Sequence, residues 1–323
     1  MTKSTDRCPR KPRHELTLMN KPFSPSCLLR RKFSTLGAAA LLALASSHAN
    51  AAITYNVSFN DPFGQATSFY SAIDSHVGAA LATWGSSLAG SADVAVRVDI
   101  SSTVPRATGA SATSGLVRST PTYNVFEQGL AYELRTGIDP NGAAADVVLT
   151  FNPTYLATEL WFDPNPLLRS ATVAANRTDA MSVFLHEFGH AFGFNGWGDA
   201  FNAEPPATYR STWDDLVSFN GTNSFFNGAR AISLYGAPVP VTYGNNFHIG
   251  NSTGPGANLV PDLMNGVVFY RGTRYNVSSL DLAIMADMGV GADAVTPVPE
   301  PAAYAMFGMG LLALGWRLNR QVR

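Results

Sequence analysis

The sequence is poor in cysteine, in lysine and in charge. Its two cysteines, Cys8 and Cys27, and its four lysines, Lys3, Lys11, Lys21 and Lys32, all fall in the first 32 of 323 residues. A chain trimmed of that stretch holds no thiol, which excludes a disulfide framework, a cysteine zinc ligand and latency by a cysteine switch. Charged residues make up 14% of the chain against 46% hydrophobic and 11% aromatic. That balance excludes disorder and coiled coil, and about 245 residues remain to bury a core, enough for one or two domains.

The cations are unevenly placed. Five arginines join the lysines near the start, and Arg317, Arg320 and Arg323 close the chain. Between Ala52 and Thr296 there are 10 arginines, no lysine and 20 acidic residues, a net charge of -10. Nucleic acid and anionic membrane surfaces are poor partners for such a body, because both are held by clustered cations.

Both ends read as addresses. Residues 1–51 have the order of a signal peptide: a basic region ending in Arg30-Arg31-Lys32, an apolar run from Leu36 to Ala45 too short to span a bilayer, and Ala49-Asn50-Ala51 as a small-x-small cleavage site. Met19 offers a second start within the long basic region. The mature chain is then expected to begin near Ala52, with no long propeptide. At the other end, residues 293–297 form a linker. After it come Val298-Pro299-Glu300-Pro301, an uncharged stretch from Ala302 to Trp316 and the closing arginines. Residues 298–323 in this order resemble the PEP-CTERM sorting signal of exopolysaccharide-producing Gram-negative bacteria. The resemblance implies export, transient anchoring of the C-terminal segment in the inner membrane as a transmembrane helix, processing by an exosortase-type enzyme, and delivery to the cell surface or the extracellular matrix. The uncharged stretch is short for a bilayer core that takes about 20 residues, which favours a processed tail over a permanent anchor.

Residues 52–292 are the expected working domain. Ile53–Phe59 and Val94–Ile100 alternate as strands, while Phe69, Ile73, Val77, Leu81 and Trp84 recur at helical spacing within Thr67–Leu88. Residues 101–120, rich in Ser, Thr, Gly and Ala, read as a loop. Phe126–Leu134 reads as a short helix and Ala145–Phe151 as a buried strand. The order predicts an α+β fold, a mixed sheet with helices packed on it.

The segment Ala180–Phe192 predicts a helix capped by Thr178 or Asp179. It is apolar on one side through Met181, Phe184, Leu185, Phe188 and Phe192, and it stops at Gly193, a residue that tolerates left-handed backbone. On it lies His186-Glu187-Phe188-Gly189-His190. Residues four apart share a helix face, so both imidazoles can reach one cation, and Glu187, about 100 degrees round the helix, can address a water there. Neutral imidazoles with no thiolate at hand suit one catalytic Zn2+. Gly193 extends the motif to the HExxHxxG of metzincins, but Gly196 stands where their short signature places the third ligand. His248, in the loop 245–250, and the carboxylates of Asp199, Glu204, Asp214 and Asp215 are the alternatives for that place. His76, in the first long helix, reads as a structural or surface histidine.

Taken together, HEFGHAFGF (186–194), a distant loop histidine, DLMNG (262–266) and SSLDLAIMADMG (278–289) resemble the leishmanolysin-type metzincins and related bacterial secreted metalloproteases. The resemblance covers residues 53–290. It implies a metzincin-like fold of two subdomains: an N-terminal mixed sheet with the active-site helix, and a mainly irregular C-terminal half ending in a helix. It also implies His248 as the third ligand beside His186 and His190, Met264 as the floor under the metal, and Gly193 as the turn back towards it. The activity implied is that of a zinc-dependent endopeptidase with Glu187 as general base towards a zinc-activated water. Gly266 replaces the proline usual after the methionine turn, and the cysteines of the leishmanolysin group are missing. Tyr243 and Tyr270 are candidates for polarising a substrate carbonyl. A protein or peptide substrate is expected to lie extended along a sheet edge, with Ala145–Phe151 a candidate strand of that sheet, and the protein to be a monomer. Two other expectations compete: a non-catalytic surface or matrix protein with a structural or inert zinc site, and a metal-dependent hydrolase of some other bond.

Overall fold

A computed structural model describes residues 50–251 and 257–291; residues 1–49 of the expected export signal, the linker from 293 and the sorting tail lie outside the described residues. The first half runs β1 (Ala52–Asn60), α1 (Tyr70–Gly85), β2 (Ser91–Ile100), β3 (Ala107–Ser111), β4 (Ser114–Ser119), β5 (Asn124–Gln128), α2 (Gly129–Thr136), β6 (Val147–Phe151) and α3 (Pro153–Thr158). The second half runs β7 (Leu160–Trp161), β8 (Thr178–Asp179), α4 (Ala180–Phe192), β9 (Tyr209–Ser211), β10 (Val217–Phe219), β11 (Ser224–Phe226), α5 (Ala229–Tyr235), β12 (Val239–Pro240) and α6 (Ser279–Asp287). The fold is α+β, as the order of elements predicts.

The main sheet has the order β1-β2-β6-β3. Strands β1, β2 and β6 are parallel, and β3 returns antiparallel on β6 as an edge. Val94, Val96, Val98 and Ile100 of β2 face the core at every second residue, as do Val147, Leu149 and Phe151 of β6. Helix α1 presses Ile73, Val77, Leu81 and Trp84 into the same core, and the Trp84 indole N–H donates to the Leu185 carbonyl at 3.0 Å, tying α1 to α4. One continuous apolar cluster runs from Ala66 to Val290 through both halves of the chain.

Several local expectations give way to tertiary pairing. The stretch 101–120 is not a loop: it holds β3 and the whole of β4. Their small polar residues carry little strand signal, and β3 forms because β6 supplies its hydrogen-bond ladder. The helix expected at Phe126–Leu134 begins only at Gly129, since Val125 and Phe126 are paired with β4 and β9. Strand β6 lies inside the sheet and offers no edge to a substrate. Helix α4 is buried all round rather than on one face: of its 13 residues only His186 is not buried. Among the described residues no helix is long and apolar enough to cross a membrane.

Candidate metal centre

Helix α4 is set by its ends. The Asp179 carboxylate accepts from the Ser182 amide at 3.1 Å as N-cap and pairs with Arg169 at 2.7 Å. The helix then passes through the core and carries His186 and His190 to one wall of a cleft. His248 arrives from a turn held by the Val241–Ile249 bridge and by the Ile249 amide, which donates to the Met264 carbonyl at 2.9 Å. The three Nε2 atoms meet: His186 and His248 are 3.0 Å apart, His190 and His186 3.1 Å, His190 and His248 3.0 Å.

The other ring nitrogens show which tautomer is present. Nδ1 of His186 lies 2.8 Å from the Leu263 carbonyl, that of His190 2.6 Å from the Phe194 carbonyl and that of His248 3.3 Å from the Asn245 carbonyl. A carbonyl can only accept, so each Nδ1 carries the proton and each Nε2 presents a lone pair. Burial drives the rings towards the neutral form. It pushes His186, with help from His190, down to about 3, and His190 down to about 4. His248 also falls well below its usual value, through burial and then the two neighbouring rings. Three converging lone pairs with no proton between them repel one another, and a shared cation relieves that repulsion.

Around this point the chain is shaped by close approaches. Met264 is fully buried under the helix, and a Cβ at Gly189 would stand 2.4 Å from its Sδ. Gly266 has no room for a side chain: a Cβ there would stand 2.7 Å from the His248 Cβ. Gly193 ends α4, but with φ of 176° it is extended rather than left-handed. The need for glycine there is one of packing, since a Cβ would come within 2.7 Å of Met288 Cε.

Glu187 sits beside the cluster, 6% exposed, in the same cleft of about 440 Å³. Burial pushes its carboxyl up to about 8, opposed by the N–H of Gly109 on β3. Tyr155 of α3 also lines the cleft, and burial raises its phenol to about 12, so it keeps its proton at any physiological pH. Nothing in its local pattern marks this tyrosine; only the packing of α3 brings it in. Tyr243 and Tyr270, the tyrosines expected on sequence grounds, are 64% and 56% exposed and do not line the cleft. They lie on outward turns of the segments that supply His248 and Met264.

Of the four rival carboxylates, three are engaged elsewhere and none lines the cleft. Asp214 accepts from the amides of Trp197, Gly198 and Ser211, Asp215 pairs with Arg118, and Asp199 closes a turn on Phe201 and Asn202. Glu204 lies in that same turn, its carbonyl accepting from the Asp199 amide. Among the described residues the one group of three or more His, Cys, Asp or Glu side chains set to hold a metal ion is His186, His190 and His248. His76 is structural: buried, it binds the Ala72 carbonyl at 2.7 Å through Nδ1 and accepts from the Asp163 amide at 3.2 Å through Nε2.

Neither a curated protein nor a solved structure matches the chain. Residues 297–321 match the model of the PEP-CTERM protein-sorting motif, so the chain carries a signal for export and sorting to the surface of a Gram-negative cell, of the kind an exosortase-type enzyme processes.

Proposed function

We propose that the protein is a zinc-dependent endopeptidase of metzincin type that works outside the cytoplasm. The observation that carries this reading is the convergence of three neutral imidazoles within 3.0–3.1 Å of one another, with Glu187 beside them in an open cleft. The donor set fits the ion: zinc–nitrogen bonds of about 2.0–2.1 Å at tetrahedral angles hold nitrogens roughly 3.3 Å apart, a few tenths of an ångström from the spacing here. Three protein ligands leave a position free, the arrangement of catalytic rather than structural zinc. When bound, the ion supplies Lewis-acid polarisation of a carbonyl and a water of low pKa.

The chain's own groups do the rest. Glu187 takes a proton from the attacking water and returns it to the leaving amine. A neighbouring dication favours its carboxylate form, offsetting the burial that raises it. The Gly109 N–H holds the carboxylate in place, and Met264 supports the helical turn between the two histidines. The Asn152 amide donates to the Arg106 carbonyl at 2.8 Å and the Ala112 amide to the Asp146 carbonyl at 2.7 Å, so the even-numbered residues of this stretch face β6. The main chain of Ala107 and the carbonyl of Gly109 therefore face the free edge, where an extended peptide can add as a further strand. β3, not β6, is the strand for the substrate.

The test uses the exported protein with fluorogenic peptides, with and without a zinc chelator. Hydrolysis that is lost on chelation and restored by zinc is expected, at one zinc per chain. A protein that holds one zinc per chain and cleaves no peptide would instead be a surface component with an inert site.

A further inference from the structure

The body has ten arginines between Ala52 and Thr296, and among the described residues nine are held. Seven pair with carboxylates. Arg177 and Arg230 donate to the carbonyls of Ala157 and Ala286. The guanidinium of Arg106 has neither kind of partner among the described residues. It is exposed just before β3 and lines the same cleft as Tyr155.

Arg106 also stands where two cavities meet. The first is the cleft at the histidines; the second, of about 430 Å³, is lined by Asn152, Thr154, Thr158 and Arg271 among others, and Arg106, Tyr155 and Phe269 belong to both. Two arginines and one acid, Glu159, line the second cavity, and Glu159 is already paired with Arg271. Among the described residues no ion pair joins Arg106 to Glu187 either. The result is one uncompensated cation in the wall of a cleft, on a body of net charge -10. A cation so placed draws an anionic group out of solvent and can hold a carboxylate through two parallel N–H bonds.

We propose that the second cavity prolongs the substrate cleft and that Arg106 selects peptides bearing a carboxylate there. This rests on the peptidase reading above. Arg106, the residue before β3, and Gly109 within it are three positions apart, about 10 Å at roughly 3.4 Å per residue. The carboxylate therefore lies two or three residues from the bond that is cut. It is either an Asp or Glu side chain or the C-terminus of a short peptide.

The test compares otherwise identical peptides with Glu, Gln or Lys two and three residues to either side of the cleaved bond, each as free acid and as C-terminal amide. For the exported protein kcat/KM is expected to be about five- to tenfold higher with Glu than with Gln, the size of a partly exposed arginine–carboxylate contact. Arg106→Ala should bring that ratio to about one, and Arg106→Glu should turn the preference towards Lys. If the amide abolishes the preference, the C-terminus is the group read; if it does not, the side chain is. Equal rates on Glu and Gln peptides, or a preference that survives Arg106→Ala, would overturn the proposal. Failure to cleave any peptide would instead overturn the peptidase reading. Fluorescence anisotropy of the same peptides on the Glu187→Gln protein then decides Arg106 by binding alone: tighter binding of Glu peptides that is lost in the double variant supports it, and equal affinities overturn it.

Discussion

The Nδ1–H of His186 donates to the carbonyl of Leu263, 2.8 Å away and 77 positions later in the chain. That one bond does two things. It turns Nε2 of His186 towards His190 and His248, and it anchors the segment that places Met264 under α4. Because Ile249 also bonds to the Met264 carbonyl, the His248 turn and the methionine segment are held as one piece against the helix. The three imidazoles and Met264 are thus a single packed unit.

Glu187→Gln should abolish peptide hydrolysis, by three orders of magnitude or more, while leaving one zinc per chain. The amide keeps the shape and still accepts from the Gly109 N–H but cannot carry the proton. Peptide assays beside elemental analysis of the same sample check this; loss of zinc in the variant would show that Glu187 helps hold the ion.

His248→Ala removes one of three converging nitrogens and should leave the protein without stoichiometric zinc after dialysis. Loss of one ligand of three costs far more affinity than loss of a supporting contact, which typically costs 10–100-fold. A variant that retains one zinc per chain would remove His248 from the ligand set.

Gly109→Ala should destabilise the fold by about 1–3 kcal/mol, the usual range for forcing volume into a filled site. The added Cβ would stand 2.5 Å from the Glu187 Cβ and 2.7 Å from the Glu187 carbonyl oxygen, so β3 or α4 must shift. Urea denaturation measures the loss, and the rate of peptide hydrolysis should fall with it, because the shift moves Glu187 and the substrate edge together.

Glu133 and Asp146 give a pH-dependent prediction away from the cleft. Each binds an amide of β2, Asp93 and Ala95 respectively, at 2.8 Å, and each leaves its second oxygen buried without a protein partner. Burial first, and then nearby acids, raise both carboxyls above their ordinary values. A raised folded-state value means that the native protein binds the proton more tightly than the unfolded chain. The resulting stability is fully present below the ordinary Glu value of 4.5 and is lost as pH climbs through the raised one. Glu133→Gln should therefore raise Tm by a few degrees at pH 7 and give no gain near pH 4. Thermal melts across that range decide; an equal gain at both ends would show that ionisation is not the cause.

What could be read in advance is local. The cap at Asp179, the apolar spacing of α4 and the Ser278–Asp281 capping box are relations between residues three or four apart, and helical geometry makes those visible in a string of letters. His186 and His190 share a face for the same reason. The sorting tail is likewise a contiguous pattern, meant to be recognised as a linear segment.

The rest depended on partners distant in the chain. β3 is made of Ala, Thr, Gly and Ser, and it is a strand only because β6 pairs with it; the same pairing exposes its edge and leaves Arg106 at the cleft. Tyr155, and not Tyr243 or Tyr270, reaches the site because of how α3 packs, and Gly266 is set by the side chain of His248, which its neighbours in sequence do not reveal. The sequence alone determined a helix bearing two ligand-type rings and an acid. Where the third ring stands was decided by tertiary packing, because that contact lies 58 residues from the nearest of the first two and no local propensity reports it.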